Sequence, residues 1–198
     1  MSKYKLKFKK LLNEYRSQFY DLEYVNEVIR EINFEFEEYK NKFINKKRIA
    51  IQKLNEKHQD RIKKIFSPSH LSKEIVKQRK ETPYDSKKLF RQIARKFHPD
   101  KLSNGDPRFE EYEGVFKAAT NAIDNNSWAE LFNIAEKYDL ELENYETINE
   151  LLDKEIALIK TELNNKKNTY AWLFYNCERD EDKDNLMKRF MKHIYVEW

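Results

Sequence analysis

Lys87-Lys88-Leu89-Phe90-Arg91-Gln92-Ile93-Ala94-Arg95-Lys96-Phe97-His98-Pro99-Asp100-Lys101 is the stretch on which the reading of this chain turns. At 100° per residue, Leu89, Phe90, Ile93, Ala94 and Phe97 share one arc of a helix, and Lys88, Arg91, Arg95 and Lys96 fall on the other. One face packs and the other is a cationic surface. The helix must stop at Phe97, because Pro99 has no amide hydrogen and its ring drives His98 toward an extended conformation. His98 and Asp100 are therefore expected on a forced, exposed bend.

Beyond the bend, Asp106-Pro107 reads as a helix entry, with Asp106 as N-cap, Pro107 at the first helical position, and Glu110 and Glu111 against the positive end of the dipole. The stripe Phe109, Tyr112, Phe116, Ala119 and Ile123 gives this second helix an apolar face to set against the first. The pair is expected to form a hairpin with His-Pro-Asp at its tip.

These residues resemble the J domain of DnaJ-type co-chaperones. The likeness covers about 40 residues, roughly Asp85 to Asn125. It takes in Lys87, Lys88, Arg91, Ala94 and Lys96 of the family's helix II, with Phe90, Ile93 and Phe97 where Tyr, Leu and Tyr are usual. It continues through His98-Pro99-Asp100 and Lys101 to Phe116-Lys117 and Ala122 of helix III. The family's first helix, with its Tyr-x-x-Leu signature, is not found in Ser67 to Glu81. A looser likeness, to a bacterial and phage-type group of J proteins, rests on Glu130-Leu131-Phe132-Asn133-Ile134-Ala135-Glu136 and on Trp172 to Tyr175. The resemblance implies docking on a DnaK-type (heat-shock protein 70) chaperone, whose ATP hydrolysis is then accelerated. Lys87, Lys88, Arg91, Arg95 and Lys101 would steer the encounter, His98 and Asp100 would make the oriented contacts, and Pro99 would hold the bend.

Composition points the same way on fold. Of 198 residues, 37% are charged and 39% hydrophobic, with only two glycines and four prolines, which fits long helices better than sheets and turns. The expected class is all-α: long antiparallel coiled-coil helices with an inserted J-domain-like hairpin. From Phe8 the apolar positions run Leu11, Tyr15, (Gln18), Leu22, Val25, Ile29, Ile32, Phe36, Tyr39 and Phe43, a heptad seam. It continues in shifted register through Ile44, Ile51, Leu54, Ile62 and Ile65 until Ser67-Pro68-Ser69 breaks it. The organisation read from this is an N-terminal coiled-coil helix at 1–66, a linker with a short helix at 67–84, the hairpin at 85–126, an accessory helix at 127–141, and C-terminal helices on the coiled coil at 142–198. Helix II is given a start near Pro83, after the cap at Thr82. Ser127-Trp128-Ala129-Glu130 and Thr147-Ile148-Asn149-Glu150 are capping boxes. The first opens a helix with Trp128, Leu131, Phe132, Ala135 and Tyr138 on one side; the second opens the stripe Leu152, Ile156, Ile159, Leu163. Tyr170 to Tyr175 is an aromatic extension suited to a core, Arg179 to Lys183 a charged turn, and Leu186, Phe190 and Ile194 a last amphipathic helix.

Chemistry of the chain's own is not expected, so there are no catalytic residues. Gly105 and Gly114 cannot form a phosphate-cradling loop, and His58, His70, His98 and His193 share no local metal-ligand spacing with one another or with the one cysteine, Cys177. No cofactor and no metal are anticipated. A single cysteine suits a reducing compartment, the basic N-terminus leads into no apolar signal core, and the longest apolar run, Tyr170 to Tyr175, is too short to span a bilayer. A soluble, cytoplasmic protein without a membrane partner is expected, in host cytoplasm or virion if viral. Residues 1 to 101 hold 27 Lys and Arg against 14 Asp and Glu, net +13, and the remainder 12 against 21, net −9. That asymmetry favours an acidic partner near the middle of the chain, or attraction between the protein's own halves. Two other readings stand beside the co-chaperone: an assembly protein of viral type whose coiled coil does the work and self-associates, and nucleic-acid binding through Lys40 to Lys101, with 20 basic against 6 acidic residues.

Overall fold

The fold is that of a computed structural model, which describes residues 2–47, 55, 56, 58, 59, 86–102, 105–125 and 127–195. Every regular element among them is helical: α1 (Lys3–Lys46), α2 (Ser86–Phe97), a 3-10 turn (Pro99–Lys101), α3 (Phe109–Asp124), α4 (Trp128–Lys137), α5 (Tyr145–Lys167), α6 (Tyr170–Tyr175) and α7 (Asp180–Ile194). The all-α expectation holds. The shifted seam beyond Ile44, the short helix after Ser67, the start of helix II near Pro83 and the search for a family-type first helix all lie outside the described residues.

The seam of α1 follows the three-and-four spacing. Phe8, Leu11, Tyr15, Leu22, Val25, Phe36 and Phe43 are buried, and Gln18, Ile29, Ile32 and Tyr39 are half-buried. Leu12 and Val28 are buried as well, which widens the stripe beyond the narrow seam of a two-stranded coiled coil.

Two compact units divide the chain, Met1–Gln18 with His70–Ile159 and Phe19–Ser69 with Lys160–Trp198. Their boundaries fall inside α1 and α5. A helix of 44 residues carries an apolar stripe long enough to serve more than one core.

In the first unit, α2, α3 and α4 pack pairwise on one another. The residues buried on them are Leu89, Ile93 and Phe97 of α2, Val115, Ala119 and Ala122 of α3, and Trp128, Ala129, Leu131, Phe132 and Ala135 of α4. Of the expected stripe of α3, Ala119 is fully buried and Phe109, Tyr112, Phe116 and Ile123 are half-buried, with Tyr112 and Phe116 against Phe97 and Phe90 of α2 at 5.1 and 6.0 Å between centroids. The difference is one of rim and centre. The larger side chains reach past the helix axis to the edge of the contact, while the small ones allow close approach. The first turns of α1 and α5 also meet, with the Phe8 and Tyr145 rings edge to face at 5.4 Å, Lys7 paired to Asp153 at 3.0 Å, and Asn149 Nδ2 donating to the Tyr4 carbonyl at 3.1 Å.

The second unit is built around Phe36, Phe43, Phe174, Leu186, Met187 and Phe190, with Met191, Ile194 and Tyr195. Phe36 meets Phe174 and Phe190 edge-on at 5.6 and 5.3 Å. The aromatic stretch 170–175 serves this core as expected, but as a separate helix. Thr169 interrupts α5 and caps α6, its hydroxyl accepting from Trp172 N at 3.4 Å. Arg179 to Lys183 is not a free turn; it holds the start of α7, whose first turn carries Asp180, Glu181 and Asp182 against the helix dipole.

Two expected caps are replaced, and a third stands ahead of its helix. Asp106 accepts from the backbone N of Arg108 at 2.9 Å, as an N-cap carboxylate does, and from the guanidinium at 2.8 and 3.1 Å, in the turn that leads into α3 at Phe109. Ser127 makes no side-chain cap bond; the amides of Trp128 and Ala129 donate to the buried Glu155 carboxylate at 2.8 and 3.4 Å. Helix α5 starts at Tyr145, two residues before the expected box, with the Asn144 side chain accepting from Thr147 N at 3.3 Å. The Ser127 box loses to a carboxylate brought in by tertiary packing, and the Thr147 box to an earlier local cap at Asn144.

Candidate docking site

The cationic helix is held by its opposite face. Leu89, Ile93 and Phe97 anchor α2, and Phe97 is clasped by Tyr112 at 5.1 Å and Tyr138 at 4.5 Å between ring centroids. Lys87, Lys88, Arg91, Arg95 and Lys96 are all exposed. They do not form one uniform surface. Lys88 pairs with Glu143, Gln92 Nε2 donates to the Glu141 carbonyl at 3.3 Å, and Lys96 Nζ to the Tyr138 carbonyl at 2.9 Å. Among the described residues, Lys87, Arg91 and Arg95 have no ion-pair partner.

The bend behaves as proline requires. His98 N makes the last helical bond to Ala94 O at 3.0 Å, and His98 then turns to φ −62°, ψ 128°. Pro99 opens a 3-10 turn in which Lys101 N donates to His98 O at 3.1 Å and Leu102 N to Pro99 O at 3.0 Å. The missing amide of Pro99 falls where no bond is needed.

Within the turn the two side chains are linked. His98 Nδ1 accepts from Asp100 N at 3.3 Å and lies 3.5 Å from Asp100 Oδ2. Accepting at Nδ1 puts the neutral ring's proton on Nε2, leaving an N–H donor. The imidazole leans edge-on against Phe116, 4.9 Å between centroids, so α3 fixes its orientation. The His98 side chain remains 40% exposed and Asp100 86%, so both lie at the surface of the turn. Lys101 turns back, its Nζ donating to the Arg95 carbonyl at the negative end of α2.

All eight residues singled out from the sequence thus lie on one continuous helix and turn. Six of them, Lys87, Arg91, Arg95, His98, Pro99 and Asp100, form the outward part. Lys88 and Lys101 are also tied into the protein itself. Gln92 and the segment 138–143 were not legible as part of the site, since no local pattern marks a loop that folds back on a helix 42 to 55 residues earlier.

Among the described residues no group of three or more His, Cys, Asp or Glu could hold a metal, and no helix is long and apolar enough to cross a membrane. An open groove of about 410 Å³ between α3 and α4 is lined by two carboxylates, Glu110 and Glu111, and by Lys137, with no His, Cys or Ser. No protein-family model, curated protein or solved structure matches the chain.

Proposed function

We propose that this chain is a J-domain co-chaperone that docks α2 on an acidic surface of a DnaK-type chaperone and stimulates its ATP hydrolysis through His98-Pro99-Asp100. The observation that carries the reading is the bend. A proline-enforced turn at the end of a cationic helix presents an imidazole N–H donor and a carboxylate acceptor together, both solvent-exposed and oriented by an internal hydrogen bond and by Phe116. Oriented polar groups on a rigid turn suit a contact that must be specific yet transient, and the surrounding cations suit fast, salt-sensitive encounter. The ATPase chemistry belongs to the partner, so the chain itself needs neither nucleotide nor metal. The expected setting is the cytoplasm, and the seam of α1 is the part that selects location or client.

The test is a single-turnover ATPase assay with the DnaK-type chaperone of the same cell. Wild type should accelerate hydrolysis and His98→Gln should not; equal stimulation by both would sink the reading.

A second reading, a coiled-coil assembly protein, is favoured by Tyr20, Tyr24 and Phe34, which stand 70%, 57% and 72% exposed on α1. Large aromatics on a helix surface are the residue type that anchors protein interfaces. A stable complex with a structural partner by sedimentation, together with no effect on chaperone ATPase, would select it.

A further inference from the structure

Around α2, at 100° per residue, the exposed side divides into two parallel edges: Lys87, Arg91 and Arg95 on one, Lys88, Gln92 and Lys96 on the other, each with its residues about 6 Å apart along the axis. The second edge is already occupied. All three of its side chains, four residues apart along α2, bond to a single non-helical segment, Tyr138 to Glu143, which opens on a turn at Tyr138 and Asp139. It contains one residue in the left-handed region, Asp139 at φ 51°, and is followed by another, Asn144 at φ 54°. Such a backbone is uncommon outside glycine and best tolerated by Asp and Asn. Between them Leu142 is buried and Glu141 and Glu143 are exposed, so the strap is pinned by its apolar residue and shows its carboxylates.

We propose that this acidic strap selects the docking edge of the site. It satisfies the Lys88–Gln92–Lys96 edge and sets the Glu141 and Glu143 charges beside it, so an acidic partner is turned to the Lys87–Arg91–Arg95 edge, which opens onto His98. The partner it fits is a protein surface bearing carboxylates one helical turn apart. The strap is an internal example of what α2 binds, carbonyl oxygens and a carboxylate in helical register. For the partner's identity the inference rests on the co-chaperone reading; for its charge it does not.

The experiment separates the two. A fluorescently labelled decaglutamate peptide is titrated with the full chain at low ionic strength. Arg91→Ala and Arg95→Ala should each weaken binding by about two- to fivefold, the range for exposed charge pairs, and Lys88→Ala and Lys96→Ala should leave it about unchanged. Neutralising the strap with Glu141→Gln and Glu143→Gln together should tighten binding by about two- to fivefold, an effect that salt erases. The charge-matched pair Glu178→Gln and Glu181→Gln should not tighten it. Independently of any variant, amine acylation followed by mass spectrometry should label Lys87 faster than Lys88 and Lys96. Absent peptide binding, equal loss from Lys88→Ala and Arg91→Ala, or equal labelling of the three lysines would each overturn the inference. Peptide binding of the expected pattern with no stimulation of the chaperone's ATPase would remove the co-chaperone reading and leave the edge assignment standing.

Discussion

The Glu155 carboxylate, 4% exposed on α5, accepts a 2.8 Å hydrogen bond from the backbone N of Trp128 and so caps a helix 27 residues earlier in the chain. A second bond, from Ala129 N at 3.4 Å, completes an anion held at a helix N-terminus, where open amides and the dipole both favour negative charge. Glu155→Leu should destabilise the protein by about 1–3 kcal/mol, because it leaves two buried amides without an acceptor. Glu155→Gln should cost less, since one oxygen remains. Denaturant midpoints for the two variants check the order.

The bend should be functional rather than structural. His98→Gln and Asp100→Asn alter exposed side chains in a turn whose backbone–backbone bonds come from Lys101 N and Leu102 N, and the one bond to a side chain, Asp100 N to His98 Nδ1, is a long 3.3 Å contact at the surface. Each should change stability by no more than about 0.5 kcal/mol while abolishing stimulation of the chaperone. Circular dichroism and single-turnover hydrolysis on the same preparations decide it.

Gly114 sits within α3 with nothing within 4 Å of where a Cβ would stand. Gly114→Ala should therefore stabilise the protein by about 0.5–1 kcal/mol through helix propensity alone. A lower melting temperature for the variant would contradict this.

At high pH the second unit should weaken. Burial and the hydrogen bond from Tyr39 OH to Asp184 Oδ1 at 2.9 Å push the phenol up to about 12 from an ordinary 10.0. Its folded value lies above the unfolded one, so the contribution is complete below pH 10.0 and is lost as pH rises toward about 12. Tyr39→Phe should flatten this alkaline loss in a stability–pH profile.

At low pH the turn before α3 should loosen. Hydrogen bonds from the Arg108 side chain and backbone hold Asp106 down to about 2 from an ordinary 3.8. Its folded value lies below the unfolded one, so the contribution is present above pH 3.8 and is lost as pH falls toward about 2. Asp106→Asn should remove that part of the acid dependence, read by hydrogen exchange at Phe109, whose amide donates to the Asp106 carbonyl.

Local chemistry decided much of this protein. The period of Phe8, Leu11 and Tyr15, the stop imposed by Pro99 and the stripes ending at Leu163 and Ile194 are properties of neighbours along the chain, and the helices and their buried faces follow from them. The cationic face and the exposed His98-Pro99-Asp100 turn were legible for the same reason. What only tertiary structure decided were the choices among competing partners. Glu155 sits among the buried residues of α5, between Leu152 and Ile156 and Ile159, and an acid on an apolar stripe signals a distant partner without naming it. It displaced Ser127 as a cap because a buried carboxylate gains more from two amides than an adjacent hydroxyl does. The division of α2 into an occupied and an open edge has the same origin. Lys88 and Arg91 are equivalent by charge and exposure in sequence, and they differ because a segment more than forty residues later folds onto one of them.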